Sequence, residues 1–490
     1  MRKVTPLFLV LLLMGCVWLS NPSAVLAGTG DDLNLIREVL ENVEAYHVDR
    51  PDHQILVEGA IWGMIETLED PYTTYLAREE LESFLKEIEG QFGGIGVELE
   101  GMNDQVRVRR VLPGSPAAEA GLAPGDIIAA VDGEDVAGLP VEVVALRIRG
   151  PEGTQVRLTI LRQGQSFEVM LIRRSIELPS IESAVWPSGI AYVHIRTFGS
   201  QVASRLKEVL LQYKARGIKG LIIDLRGNEG GLLDAAAEVA GYFLGEGRTV
   251  AWLKGRDSEA PCRATGRTLV TGIPIVVLID GRTASAAEIL AGALQDYQAA
   301  LLLGEPTYGK GSVQELIPLS NGGALRVTTA RYLTPLRRPV DAQGLTPDKK
   351  IETNALVPLV AEALIKGGSV KMKLAVGSTE GEVNGHPVTL ASPPVAVGGV
   401  IYLPLRFTAE AFGYQVCWVK EVGAVLEKGG EKITLPFDGK TVIIPDKQKP
   451  VAFIALPAVR NLMLDVRVQG VSIELDGNVA DSMNYLKAAG

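Results

Sequence analysis

Two apolar runs, "LIIDL" at residues 221–225 and "IPIVVLI" at 273–279, constrain this chain more than any other feature. Each is long enough for a buried strand, and each leads through a glycine-containing turn into an amphipathic helical pattern. Strands alternating with helices predict an α/β core, here over residues 176–365. The flanks read differently. Leu33, Ile36, Leu40 and Val43 recur at helical spacing, as do Ile61, Ile65 and Leu68. Asp70-Pro71-Tyr72 breaks the run, and Leu81, Leu85 and Ile88 resume it, which predicts a helical region over 28–89. From Gly90 to residue 175 the texture is short alternating strands and glycine turns. Residues 366–380, rich in Gly, Ser and Lys, read as a linker. Strand spacing with hairpin signals at Asn384-Gly385 and Asp438-Gly439 then predicts a small α+β domain over 381–490. The fold class is therefore multidomain, α/β and β. That suits a 490-residue chain, at roughly 100–200 residues per domain.

The formal net charge of −10 is spread without long single-sign blocks, which argues against a nucleic-acid partner. Arg2 and Lys3, an apolar run over 6–19 and Val25-Leu26-Ala27 have the layout of a secretory signal peptide, residues 1–27, cut after Ala27. The run is shorter than the ~20 residues of a membrane span, with an uncleaved anchor as the alternative. "LMGC", ending at Cys16, is a faint lipoprotein box that Met14 fits poorly. The expected location is extracytoplasmic, either secreted or held at the membrane or cell wall. Beyond the signal, Cys262 and Cys417 lie far apart, and His47, His53, His194 and His386 are scattered. Neither set has the spacing of a disulfide framework or a metal site, so no metal and no cofactor are expected.

"GEPTYGKGS" at 304–312 nearly spells a phosphate-binding loop. Such a loop needs Ser or Thr directly after the lysine and a helix beyond it. Here Gly311 follows Lys310, and "SVQELIPLSNGG" reads as a strand and hairpin. A different partner for Lys310 stands upstream in "VVLIDGRTASAAEILAGALQD", where Ser285 falls between a buried strand and a helix. Free N–H groups and the helix dipole favour negative charge at that position, which suits a nucleophile whose acyl intermediate carries an oxyanion. A serine needs a base, and no histidine lies in either segment. A lysine desolvated among glycines and apolar residues can serve, because burial disfavours the ammonium form. Taken singly, Ser285 is as readily a helix cap and Lys310 a surface lysine.

Two families carry the reading further. "GGIGVELE" (93–100), "GSPAAEAGLAPGDII" (114–128) and "VDGEDV" (131–136) resemble a PDZ domain. That resemblance implies capture of C-terminal tails, with Gly94, Ile95, Gly96 and Val97 as the carboxylate loop, a β-edge accepting the peptide, and Arg149 of "LRIRGPEGT" resembling an arginine implicated in gating. "GRTASAAEILAGALQD" followed by "GEPTYGKGSVQELIPL" is similar to the active-site signature of the C-terminal processing peptidases, or tail-specific proteases. It implies Ser285 as nucleophile and Lys310, 25 residues later, as general base. The resemblance also implies Gln314 as the residue that orients the lysine, and i+4 on a strand would put both side chains on one face. "LIIDLRGNEGG" (221–231) resembles the family's oxyanion segment, so Gly230 or Gly231 together with Ala286 would supply the donors. Glu229, where the family has proline or a small residue, and Ala287, where it often repeats serine, are departures. "LEDPYTTYL", "ARYLTP" and "GLTPD" extend the match to about residues 31–348.

The resemblance thus implies a serine endopeptidase with a PDZ domain acting on protein or peptide tails, and the family often forms dimers. "VNG" and "LPLRFTAEAFG" with a tryptophan beyond resemble the small domain named after the N-terminus of copper amine oxidases, without implying copper. Its role is open between adhesion to a wall or partner and a plain spacer. A silent PDZ scaffold and a nucleotide hydrolase are the rival classes.

Overall fold

The computed structural model describes residues 29–102, 105–177, 179–445, 451–462 and 464–479. The signal-like segment with Arg2, Lys3, Cys16 and Ala27 lies outside the described residues. The chain divides into two units, Met1–Ser180 with Gln314–Thr328, and Ile181–Val313 with Thr329–Gly490.

The first unit opens with α1 (Thr29–Tyr46) and α2 (His53–Glu66). Asp52 caps α2 by accepting from the N–H groups of Gln54 and Ile55. The break at Asp70 is an Asx turn: its carboxylate accepts from the Tyr72 N–H at 3.0 Å and from the Thr73 hydroxyl. It hands the chain to β1 (Thr74–Leu76) and α3 (Arg78–Ile88). After β2 (Gln91–Gly94) come β3 (Val97–Met102), β4 (Gln105–Val111), the short α4 (Pro116–Glu119), β5 (Ile127–Val131) and β6 (Glu134–Asp135). Then follow α5 (Val141–Ile148), β7 (Gln155–Arg162), β8 (Gln165–Ile172) and β9 (Arg174–Glu177), the last paired with β2. The antiparallel sheet runs β3-β4-β5-β7-β8, with β6 on β5. Val156, Leu158 and Ile160 alternate inward along β7, so one face is core and the other is not. Among the described residues β3 has a strand neighbour on one side only, and α5 packs beside it.

The second unit is built on β10 (Ile181–Val185), β11 (Ile190–Ile195), α6 (Val202–Arg216), β12 (Gly220–Asp224) and α7 (Leu233–Leu244). Next are β13 (Thr249–Gly255), β14 (Glu259–Arg263), β15 (Ile275–Ile279), α8 (Ala286–Asp296) and β16 (Leu301–Gly304). β17 (Ser312–Pro318) and β18 (Ala324–Leu333) form a hairpin whose residues 314–328 are counted with the first unit; β19 (Lys349–Lys350) and α9 (Val357–Ile365) then continue the second. The main sheet has the order β10-β11-β12-β15-β16-β19, parallel from β11 onward. Leu221, Ile223, Val277 and Ile279 face one way, against Leu206 and Leu210 of α6, Val239 of α7 and Leu290 of α8. Ile222, Val276 and Leu278 face the other way, against Val360 of α9. Burial on both faces is why β15 is apolar throughout and β12 is apolar up to Asp224, rather than alternating.

Residues 366–380 are not a linker. They hold β20 (Ser369–Ala375), which pairs with Ser472–Asn478 on one side and β21 (Glu380–Val383) on the other. The Gly and Lys content hid an alternation in which Val370, Met372 and Leu374 point into the core. β22 (His386–Thr389) closes the hairpin at Asn384-Gly385, and α10 (Leu405–Ala411) follows. One apolar core runs without interruption from Val276 and Leu278 through α9 to Met372, Leu403 and Phe412. The C-terminal region is thus fused to the α/β core through shared packing. Cys262 is buried and Cys417 is exposed.

Candidate active site

Ser285 stands where β15 turns into α8, with φ 53° and ψ −119°. A serine held in left-handed backbone costs about 1–3 kcal/mol, so its surroundings must over-determine it. They do. Asp280 accepts from the N–H groups of Arg282 and Thr283, each at 3.0 Å, and the Thr283 hydroxyl donates to the Leu225 carbonyl at 3.0 Å. The Ala284 N–H donates to the Asn228 carbonyl at 2.9 Å, and the Tyr332 hydroxyl to the Ser285 carbonyl at 3.3 Å. The result is a sharp strand-to-helix turn of the kind that raises a nucleophile out of a sheet.

Glu288, one turn into α8 and fully buried, joins that turn to the lysine loop. Its Oε2 accepts from the backbone N–H of Ser285 and from that of Lys310, each at 2.9 Å. Its Oε1 accepts from the Gly309 N–H at 2.8 Å and from the Thr307 hydroxyl. Burial pushes the Glu288 carboxyl up against the pull of these four donors. Burial likewise lifts the Tyr332 phenol well above its ordinary range, with Glu288 adding to it. Glu288 went unread in the sequence, although "SAAE" is an S-x-x-E capping signature and pointed to it.

The expected oxyanion segment meets Ser285. Gly230 and Gly231 have φ of 110° and 136°, and a Cβ on Gly230 would lie 2.8 Å from the Ser285 Cβ. The Gly230 N–H, expected as an oxyanion donor, is instead donated to Asn228 Oδ1 at 2.8 Å. Asn228 is fully buried and ties its Nδ2 to the Ile195 carbonyl at 2.8 Å, so it pins this segment to β11. Gly231, which is exposed, and Ala286, at the first position of α8, remain the candidate donors. Glu229 is neutralised by Arg282, whose Nη2 donates to it at 2.9 Å. Gly230→Ala forces both a clash and a disfavoured φ. We expect it to lower kcat roughly 10²–10³-fold, the effect of disturbing an oxyanion site, with tail affinity unchanged when both are measured on one unfolded peptide.

Lys310 is half-buried in irregular backbone before β17, which begins only at Ser312. Strand alternation therefore does not relate Lys310 to Gln314 as expected from the sequence. Gln314 lies in the first unit, where its side-chain amide donates to the Thr328 hydroxyl at 3.2 Å. The next element after Lys310 is a strand, β17, where a phosphate loop would require a helix. In the PDZ-like sheet, Gly94 ends β2 and Val97 begins β3. Between them the Ile95 and Gly96 carbonyls accept from Ala117 and Leu112, each at 2.9 Å. Gly96 has φ 77°, and a Cβ there would lie 2.2 Å from the Ser115 Cβ. With its carbonyls engaged inward, this loop has N–H groups to offer a carboxylate beside an open strand edge. Arg149 caps α5, its N–H donating to the Ala145 carbonyl. Among the described residues no group of three or more His, Cys, Asp and Glu could hold a metal ion.

Four family models match the chain: Peptidase family S41 over residues 189–351, PDZ domain over 85–161, Activating protease CtpB N-terminal domain over 20–80, and Copper amine oxidase N-terminal domain over 327–426. The carboxy-terminal-processing protease of Bartonella bacilliformis is 37% identical over 324 residues, 64% of this chain and 74% of that protein. A CtpA-like serine protease of Staphylococcus saprophyticus is 32% identical over 327 residues, 66% of each, so the chain spans about two thirds of that relative. The solved photosystem II D1 C-terminal processing protease is 28% identical, covering 66% of this chain and 94% of that one, with a TM-score of 0.45. The chain belongs to peptidase family S41, the carboxy-terminal-processing serine proteases, and carries a PDZ domain.

Proposed function

We propose that the chain is an extracytoplasmic endopeptidase that cleaves proteins near their C-termini with a Ser285–Lys310 dyad, after its PDZ domain captures the tail. One observation carries the dyad. The backbones of Ser285 and Lys310 are hydrogen-bonded to the same buried oxygen of Glu288. Lys310, as the neutral amine, takes the Ser285 hydroxyl proton while Oγ bonds to the scissile carbonyl carbon. The tetrahedral oxyanion is held by N–H groups of Gly231 and Ala286. The ammonium then returns its proton to the leaving amine as the C–N bond breaks. A water molecule, deprotonated by the same amine, hydrolyses the acyl-serine.

The open edge of β3 and the Gly94–Val97 loop favour tail capture. The charged and apolar layout of residues 1–27 favours export. Exposed apolar side chains on α1 and α2, among them Ile36, Val39, Ile55 and Trp62, favour pairing of two chains through these helices. The test is an acyl-serine probe. A fluorophosphonate should modify the full chain at Ser285, mapped by peptide mass, and Ser285→Ala should take no label while still binding a tail peptide. Equal labelling of that variant removes the assignment.

A further inference from the structure

The C-terminal region reaches the oxyanion segment through an unbroken run of polar contacts. Glu410 of α10 is buried, and its carboxylate accepts from the backbone N–H groups of Glu352 and Thr353 at 3.2 and 2.8 Å. Arg406, one turn earlier, bridges Glu352 at 2.7 Å and Glu410 at 3.1 Å. The clamped loop lies between β19 and α9, and its next residue, Asn354, accepts from Arg226 Nη1 through its carbonyl at 2.8 Å and through its side-chain oxygen. The same guanidinium grips Asp224 at the end of β12, with Nε at 2.9 Å and Nη2 at 2.6 Å. Arg226 opens the segment that ends in Gly230 and Gly231. The adjoining Gly227 N–H is held by Asp280, the carboxylate that also fixes the nucleophile turn.

A second route from the same region ends at the same carboxylate. His386 of β22 is bonded to Glu362 of α9 at 3.1 Å and tilts against Trp186, with ring centroids 5.5 Å apart. Trp186 stacks on Tyr192 at 5.5 Å, and the Tyr192 hydroxyl donates to Asp224 at 2.6 Å. Asp224 is almost wholly buried; burial pushes its carboxyl up, but Arg226 and Tyr192 outweigh this and hold it below the ordinary carboxylate range. Asp224 and Glu410 are buried groups on these two routes, and a buried carboxylate that loses a partner incurs a desolvation penalty.

We propose that Glu410 is a positioning residue for the oxyanion segment. It acts through the 352–354 loop and Arg226, so that the C-terminal domain holds the reaction site in register rather than serving as a spacer. The inference rests on the peptidase reading for its effect on turnover, but not for the coupling itself. Removing Glu410 frees the loop that anchors Arg226, and the segment carrying Gly231 loses one of its braces, with those from Asp280 and Asn228 remaining.

The experiment compares the full chain with Glu410→Ala and Glu410→Gln. The glutamine variant keeps the shape but offers one acceptor oxygen where the carboxylate offers two. Amide hydrogen exchange over residues 227–231 should be about tenfold faster in the variants, with exchange in the PDZ sheet unchanged. On a tail peptide kcat should fall about tenfold with KM and tail affinity unchanged, the low end of what misplacing a catalytic group costs. A variant that melts earlier yet exchanges and turns over like the parent overturns the proposal, and so does faster exchange with unchanged kcat. If Glu410→Ala does not fold, Glu410→Gln decides by the same two readings. If the parent chain cleaves nothing and takes no acyl-serine probe, the peptidase reading fails. The exchange rates then still decide whether Glu410 governs the segment.

Discussion

Replacing either Ser285 or Lys310 by alanine is expected to lower kcat by roughly 10⁴-fold or more, and replacing both is expected to do no further damage. The non-additivity is the informative part. A serine hydroxyl without its base is a poor nucleophile, and a base without the hydroxyl has nothing to activate, so each deletion removes the whole pathway. Two independent contributions would multiply. The residual rate should be set by binding and the oxyanion donors, which survive all three variants. Lys310→Arg should not rescue, because a guanidinium keeps its proton at any workable pH. Steady-state cleavage of an unfolded tail peptide measures all of this. A double variant much slower than either single one, or a Lys310→Arg variant of parental rate, contradicts the dyad.

Much of this architecture can be read before any coordinates, because its signals are local. The runs at 221–225 and 273–279 are apolar on both sides, which only a strand covered on two faces sustains, and they became β12 and β15. The strand–turn–helix boundary at Ser285 was legible because it is written in consecutive residues. The phosphate-loop likeness at Lys310 failed on one residue, Gly311, and a hairpin follows it. What escaped is what depends on distance along the chain. Asn228 looks like a loop residue, yet its side chain bonds to Ile195 across 33 positions. Residues 366–380 have the composition of a linker, which masks the alternation of Val370, Met372 and Leu374. A glycine-rich loop leaves Gly230 and Gly231 equal as donors, and does not reveal that an asparagine two residues before Gly230 accepts its N–H. Nor does a sequence disclose that Glu410 will clamp a loop 58 residues upstream.

Glu288→Gln is expected to cut turnover severely, though less than loss of the dyad, because its carboxylate ties together the backbones of Ser285 and Lys310. Each carboxylate oxygen of Glu288 faces two donors, Thr307 and Gly309 on one side and Ser285 and Lys310 on the other. An amide can satisfy one pair and must turn its own N–H groups toward the other. Two buried donors are then unpaired, at about 1–3 kcal/mol each. The better-placed pair will keep the oxygen, so the variant relaxes by letting one loop move. Either choice separates the Ser285 turn from the lysine loop, and a displacement of about 1 Å costs on the order of 10²-fold in rate. Glu288→Asp keeps the charge but withdraws it by one C–C bond, about 1.5 Å, so it can reach one loop and not both. The expected pattern is a drop in kcat of roughly 10²–10³-fold for Gln and a smaller one for Asp, with tail affinity untouched and a lowered unfolding midpoint in both. Lowered stability alone fits a helix cap; lowered kcat in a folded protein well below its melting temperature does not. A folded Glu288→Gln enzyme turning over within threefold of the parent would show that the two backbones stay in register without the carboxylate between them.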